Sequence, residues 1–163
     1  MLIKIVQFGH RILEYVSAIL LGLMVIVVFT NVLSRYFLNF SLAFTEELSR
    51  FIFLWIVFIG SLLALIRNEH LGIDILIMRF PPRIREYFLL FDDLLAGIAV
   101  LIIFIGGIRL TKGNFSWPAP ATGIPYGIVE SIIPIMSIAM VLILTARIIG
   151  KVSALACSRG VKR

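Results

Sequence analysis

The chain has 163 residues, is 61% hydrophobic, carries a formal net charge of +6 and has a mean hydropathy of +1.09. An apolar share so far above the roughly 45–50% of a globular domain excludes a soluble core of this size. The basic residues are spread over connectors and ends rather than gathered on a soluble fold, which excludes nucleic acid as the reason for the charge and points to cytoplasmic loops and anionic headgroups.

Lys4, His10 and Arg11 precede the first apolar run, as in a signal peptide. The charge-free stretch Tyr15–Leu33 is nineteen residues long, beyond the roughly 7–15 of a signal core, so a retained span over about 12–34 is expected. The connector that follows, "SRYFLNFSLAFTEELSRF", is the most polar stretch of the chain. Thr45 is expected to cap the next helix, with Glu46 and Glu47 beside its positive dipole end. Glu46 and Arg50 stand four apart in the favourable acid-first order. Glu47 has no such local partner, so Arg35 or another subunit is expected to supply one. The plain alternative is a solvated turn whose exposed ion pairs are worth about 0–1 kcal/mol. Phe37, Leu38, Phe40, Leu42 and Phe44 speak against it.

A second span is expected over about 48–66. "NEHLGIDILIMRFPPRIREYF" then holds an apolar run too short to cross a bilayer. On a helix, Arg67, His70 and Asp74 share one stripe, opposite Ile73, Leu76, Ile77 and Phe80. The pattern predicts a short amphipathic surface helix over about 68–80, stopped by Pro81-Pro82. A tilted continuation of the second span is the alternative.

A third span is expected over about 87–108. It carries Asp92 and Asp93, five and six residues past Tyr87 and so roughly 8–9 Å along the axis. That places them near the membrane edge, within sequence reach of Arg83 and Arg85. With Glu130 and Glu14 they count as intramembrane acids of unassigned role. "TKGNFSWPAPATGIPY" holds three prolines and two glycines, so an ordered, irregular loop is expected, with Trp117 and Tyr126 at headgroup level. The fourth span, about 126–149, contains Pro134, which should kink it.

The fold class is therefore an all-α integral membrane protein, one domain over 1–163 with four transmembrane helices. Each run is too long for a barrel strand and does not alternate. Eleven of the fifteen Lys and Arg lie in the N-terminal segment, the second connector and the C-terminal end, so both termini are expected in the cytoplasm.

No chemistry-bearing constellation stands out. The single Cys157 excludes an internal disulfide and a Cys-based zinc site. His10 and His70 lie outside the apolar runs, where they cannot face each other across a haem. No activated nucleophile, metal set or phosphate loop is present in the pattern, so no catalytic residue, metal ligand or cofactor is expected. The mid-span segments "ILLGLMVIVVF", "WIVFIGSLLAL" and "VLIIFIGG" are almost bare of polar groups. A chain that transports alone should show polar groups or broken helices there. A scaffold or partner subunit fits better.

Four stretches, "NVLSRYF", "FTEELSRFIFLWIVFIGS", "EHLGIDILIMRFPPRIRE" and "SWPAPATGIPYGIVESIIPI", in this order and spacing, resemble the small membrane subunit, of the DctQ type, of tripartite ATP-independent periplasmic (TRAP) transporters. The resemblance implies a non-catalytic scaffold in the bacterial inner membrane. It would bind a large M-type membrane subunit that carries substrate and sodium, fed by a periplasmic substrate-binding protein, with phospholipids as surroundings. The cargo would be an organic acid such as a C4-dicarboxylate or sialic acid. It also implies partner-facing positions at Arg35, Tyr36, Glu46, Glu47, Arg50 and Trp55, and a cytoplasmic surface helix bearing His70 and Asp74. Two other classes stay open: a small homo-oligomeric proton-coupled transporter using Glu14 or Asp92/Asp93, and a membrane anchor for a redox enzyme.

Overall fold

The computed structural model describes residues 2–37, 39–40, 42–67 and 82–160, and the side chains of 9–37, 39–40, 42–67 and 88–153. The surface helix expected over 68–80, with His70 and Asp74, lies outside the described residues. The described elements are helical: α1 (Leu2–Phe37), α2 (Ala43–Arg67), α3 (Pro82–Asn114), α4 (Tyr126–Glu130) and α5 (Ile132–Gly160). Four stretches are long and apolar enough to cross a bilayer: Gly9–Phe37, Ala43–Arg67, Phe88–Asn114 and Tyr126–Ser153. Four spans are present as expected, and α1 and α3 run further than their apolar stretches. Pro82 opens α3, a position where its missing N–H costs nothing and its fixed φ suits the first turn.

The start of α2 differs from expectation. The helix begins at Ala43, two residues before the expected cap. Thr45 is buried inside the first turn, and both its amide (3.0 Å) and its hydroxyl (2.6 Å) donate to the Leu42 carbonyl. Ser34 closes the same corner by donating to the Phe40 carbonyl at 2.8 Å, and Asn39 takes a left-handed φ of 50°, which Asn tolerates better than most residues. The corner is short and tight, so Glu46 and Glu47 fall in the first turns of a helix already under way.

The fourth span is broken where proline dictates. Pro134 has no N–H for the Glu130 carbonyl, and its ring crowds that carbonyl. The helix therefore divides at Ser131 into α4 and α5. The break is local: Ser131 keeps helical dihedrals, its N–H reaches the Gly127 carbonyl at 3.0 Å, and the Ile135 N–H reaches the Ser131 carbonyl at 3.3 Å.

The helices form a row rather than a closed bundle. The main contacts run α1 to α2, α2 to α5 and α5 to α3, with α4 wedged against α3 and α2. The buried apolar residues come from the centre of this row: Ile52, Ile59, Leu62 and Leu63 of α2, Val129 of α4, and Ile132, Ile133, Met140 and Leu144 of α5, with Ala119 from the loop before α4. Among the described residues neither α1 nor α3 supplies a buried apolar side chain. Each offers instead a stripe at helical spacing of three and four. On α1 it runs Leu13, Ser17, Leu20, Met24, Val27, Asn31 and Ser34, and α1 is otherwise almost wholly exposed.

Glycine sets two close approaches. A Cβ on Gly127 would lie 2.6 Å from the Phe115 Cα and 2.7 Å from the Thr111 carbonyl oxygen, both backbone atoms that cannot swing aside. A Cβ on Gly107 would lie 2.6 Å from Ile133 Cγ2. Alanine at Gly127 should therefore force α4 away from the end of α3, costing about 1–3 kcal/mol by overpacking. Alanine at Gly106, where a Cβ meets nothing within 4 Å, should be neutral or slightly stabilising. Thermal unfolding of the two variants in one detergent checks this; equal midpoints would contradict the close approach.

Candidate functional site

The two connectors expected on one side of the membrane meet in the structure. Residues 115–125 between α3 and α4 fold as a tight lobe, as the proline and glycine content predicts. Pro118 and Pro125 form an isolated bridge, flanked by Tyr126 N–H to the Trp117 carbonyl (3.0 Å) and Ala119 N–H to the Ile124 carbonyl (2.9 Å). Gly123, at φ 71°, turns the chain so that its N–H reaches the Ala119 carbonyl at 2.8 Å. Left-handed backbone of this kind favours glycine.

This fold points two successive amides, those of Ala121 and Thr122, away from the lobe's own carbonyls. They donate to one oxygen of Glu47, Oε2, at 3.1 and 2.7 Å. The Tyr126 hydroxyl donates to the other, Oε1, at 3.2 Å. Glu47 is only 8% exposed, and it lies 74 to 79 positions in sequence from these donors. Successive backbone amides form a concave anion seat, and a carboxylate is an acceptor at both oxygens. The arrangement is a receptor for an anion, occupied by the chain's own side chain.

Glu47 heads a stripe along α2 at intervals of four. Phe51 meets the Tyr126 ring edge-on, with centroids 5.8 Å apart at 85°. Trp55 donates through Nε1 to the Val129 carbonyl at 3.1 Å, just before the helix break. Carboxylate, aromatic ring and indole thus hold α2 to the lobe and to α4 over two turns. Glu130 adds a cross-tie: the Asn114 amide reaches both of its oxygens, at 2.9 and 3.0 Å, joining the end of α3 to α4.

The opposite end is tied differently. Asp93, 2% exposed, pairs with Lys151 Nζ at 2.5 Å, and the same ammonium donates to the Leu89 carbonyl at 3.2 Å. The cation on Asp93 comes from α5, fifty-eight residues on; the side chains of Arg83 and Arg85, expected near both acids, lie outside the described residues. Asp92 is half-buried and has its own contact. Arg147 donates to the Leu65 carbonyl in the last turn of α2, where helix carbonyls lack an internal partner. Glu14 of α1 pairs with Arg67 of α2 and lies 3.5 Å from His10.

The structure thus divides the expected partner-facing residues. Arg35, Tyr36, Glu46 and Arg50 are exposed. Glu47 and Trp55 are turned into their own chain, and the expectation that Arg35 or another subunit partners Glu47 is corrected: the lobe amides and the Tyr126 hydroxyl do so. Sequence reasoning passed over Asn114, Lys151, Arg147 and the Ala121–Thr122 amides. No local pattern announces them, because each link joins distant segments. Among the described residues no cluster of three or more His, Cys, Asp or Glu could hold a metal ion.

Comparison with known proteins decides the family. The profile of the tripartite ATP-independent periplasmic transporters, DctQ component, matches residues 24–154. The chain belongs to this DctQ family. A TRAP transporter small permease protein of Haemophilus influenzae is 32% identical over 155 residues, covering 93% of this chain and 94% of that one. The C4-dicarboxylate TRAP transporter small permease protein DctQ of Vibrio cholerae is 33% identical over 117 residues, 72% of this chain and 47% of that one. The sialic acid TRAP transporter permease protein SiaT of Haemophilus influenzae is 26% identical over 117 residues, which are 72% of this chain and 19% of its own length. As a DctQ-family member the chain is a multi-pass inner-membrane transport component and not an enzyme. The matched segment contains Glu47, the lobe, Tyr126, Asp93 and Lys151.

For this DctQ-family chain, Glu47→Ala should lower the thermal midpoint of the isolated protein most. Glu47→Gln should come next, because its amide presents donors where the seat also donates. Tyr126→Phe should have the smallest effect, removing one of three donors. Unfolding followed by tryptophan fluorescence gives the order. A Glu47→Gln midpoint equal to wild type would contradict the anion seat.

Proposed function

We propose that the chain is the static scaffold subunit of a sodium-coupled importer of organic acids. In this reading both termini are cytoplasmic and the two connectors face the periplasm. A large M-type membrane subunit carries the substrate and sodium, and a soluble periplasmic protein delivers the cargo. The observation that carries the reading is where the acids go. Glu14, Glu47, Asp93 and Glu130 are each committed to a helix–helix or helix–lobe link, so none is left as an obvious relay through the spans. The broad apolar faces of α1 and α3 remain exposed. A protein that moved cargo by itself would need polar groups at mid-depth; a protein that supports another needs surface to offer.

Membership of the DctQ family supports the assignment. So does the SiaT relative, a permease of which the matched part is only 19%, as expected if this unit works beside a larger one. The Vibrio cholerae and Haemophilus influenzae relatives are named for a C4-dicarboxylate and for sialic acid. Both are carboxylates, and the cargo class is proposed on that ground. The exposed Arg35, Tyr36, Glu46 and Arg50 are the direct contacts to the large subunit, while Glu47 and Trp55 act from inside by fixing the surface that carries them. The committed acids also weigh against a self-sufficient proton-coupled transporter, and a redox anchor would need histidines within the apolar runs, where the sequence has none.

Coexpression with the large subunit tests this. The chain should copurify in fixed stoichiometry, and reconstituted uptake should require both chains, the binding protein and a sodium gradient. Joint Arg35→Ala and Arg50→Ala should weaken copurification while leaving the isolated chain's thermal midpoint unchanged. Purified chain that is monodisperse alone, does not copurify and leaves uptake intact when omitted would contradict the scaffold.

A further inference from the structure

The last turns of α3, where it approaches the lobe, carry two cations without a counter-charge. Arg109 and Lys112 stand three apart on one face of the helix, and both are exposed. Among the described residues neither side chain has a hydrogen bond or an ion pair. The acids of this end are engaged elsewhere: Glu47 in the lobe seat, Glu130 by Asn114, and Glu46 in a contact of its own. Arg109 lies five residues before Asn114, the end of the span, and so roughly 8 Å inside it along the axis. An exposed charge at such a depth is costly unless it reaches the headgroups or meets an anion, and two like charges at this spacing also repel. The backbone beside them is bare. Gly106 and Gly113 lie three residues before and four after Arg109, on the same face, and a Cβ on either would meet nothing within 4 Å. Trp117, exposed just past the helix end, is a residue suited to headgroup level.

We propose that this face binds one anionic phospholipid. Its phosphate would lie between the Arg109 guanidinium, whose fork of donors suits phosphate oxygens, and the Lys112 ammonium. An acyl chain would descend across Gly106 onto Ile98, Ile102 and Ile105, which are exposed on the same face. Charge complementarity selects a net anionic headgroup. A zwitterionic one brings an amine to a surface whose described acids are already engaged, and leaves one protein cation uncompensated. A soluble phosphate would meet the two cations but gain nothing from the apolar face beneath them. The site requires only that α3 cross the bilayer, and it is independent of the scaffold role.

The full-length chain, reconstituted in vesicles of equal parts phosphatidylglycerol, phosphatidylethanolamine and phosphatidylcholine and extracted in mild detergent, tests the proposal by native mass spectrometry. Wild type should retain one phosphatidylglycerol, about tenfold over either competitor, the preference expected of two cations at a membrane surface. Joint Arg109→Gln and Lys112→Gln should abolish the preference while helix content and monodispersity stay as in wild type. If the double variant does not fold, Arg109→Gln alone should lower the preference at least about threefold, and Arg109→Lys should keep most of it. Arg11→Gln, which removes an exposed cation at the other end of the molecule, should leave it unchanged. Equal retention of the three lipids by wild type would overturn the proposal. So would Arg11→Gln that lowers the preference as much as Arg109→Gln, because the effect would then be one of overall charge. A double variant that keeps the preference would overturn it too, and its failure to copurify with the large membrane subunit would make a partner's carboxylate the occupant.

Discussion

A single buried carboxylate organises the connector end of this protein. Glu47 receives two backbone amides from the tip of the 115–125 lobe and the hydroxyl of Tyr126. The lobe can present those amides together because Gly123 turns left-handed and the Pro118–Pro125 bridge closes its base. Tyr126 is in place because Gly127 lets α4 lie against the backbone of α3. Remove the carboxylate and three part-buried donors lose their acceptor at once, a loss that costs most where water does not replace it. The lobe and the first residue of α4 are thus tied to α2 through one side chain.

The rest of the structure follows the same logic. In lipid, apolar faces gain little from one another, and association rests on packing and interhelical hydrogen bonds. The chain answers with polar links at both ends of an otherwise apolar row. Glu14–Arg67 joins α1 to α2, Arg147 joins α5 to α2, and Asp93–Lys151 joins α3 to α5. Asn114–Glu130, Trp55–Val129 and Glu47 fasten the other end. Among the described residues the apolar core comes from α2, α4 and α5, with Ala119 of the lobe. A row whose outer helices α1 and α3 are largely exposed among the described residues offers surface to a neighbour, as the proposed scaffold role requires.

What the sequence made legible was local. Apolar runs and the bilayer's thickness give four helices, because each span must satisfy its own backbone. Pro134 announces the break between α4 and α5, and the proline and glycine content announces the lobe. The site was legible only in part. Glu47 stood out as an acid without a neighbour in sequence, and that signal was sound. Its partners were not visible, because they are backbone amides, which no residue letter encodes, and a tyrosine 79 positions away. The same holds for Asp93, whose partner Lys151 lies fifty-eight residues on. Thr45 misled because a capping residue is identified by where the helix starts, and the tight Ser34–Phe40 corner starts α2 two residues earlier.

The central claim, that the Glu47 carboxylate holds the lobe by its tip amides, is tested most directly by amide hydrogen exchange on the full chain in lipid nanodiscs. The account predicts slow exchange at Ala121 and Thr122 in the wild type and at least about tenfold faster exchange at those two amides in Glu47→Gln, with the mid-span amides of α2 and α5 unchanged. Fast exchange at Ala121 and Thr122 in the wild type, or exchange that the substitution leaves as it was, would contradict it.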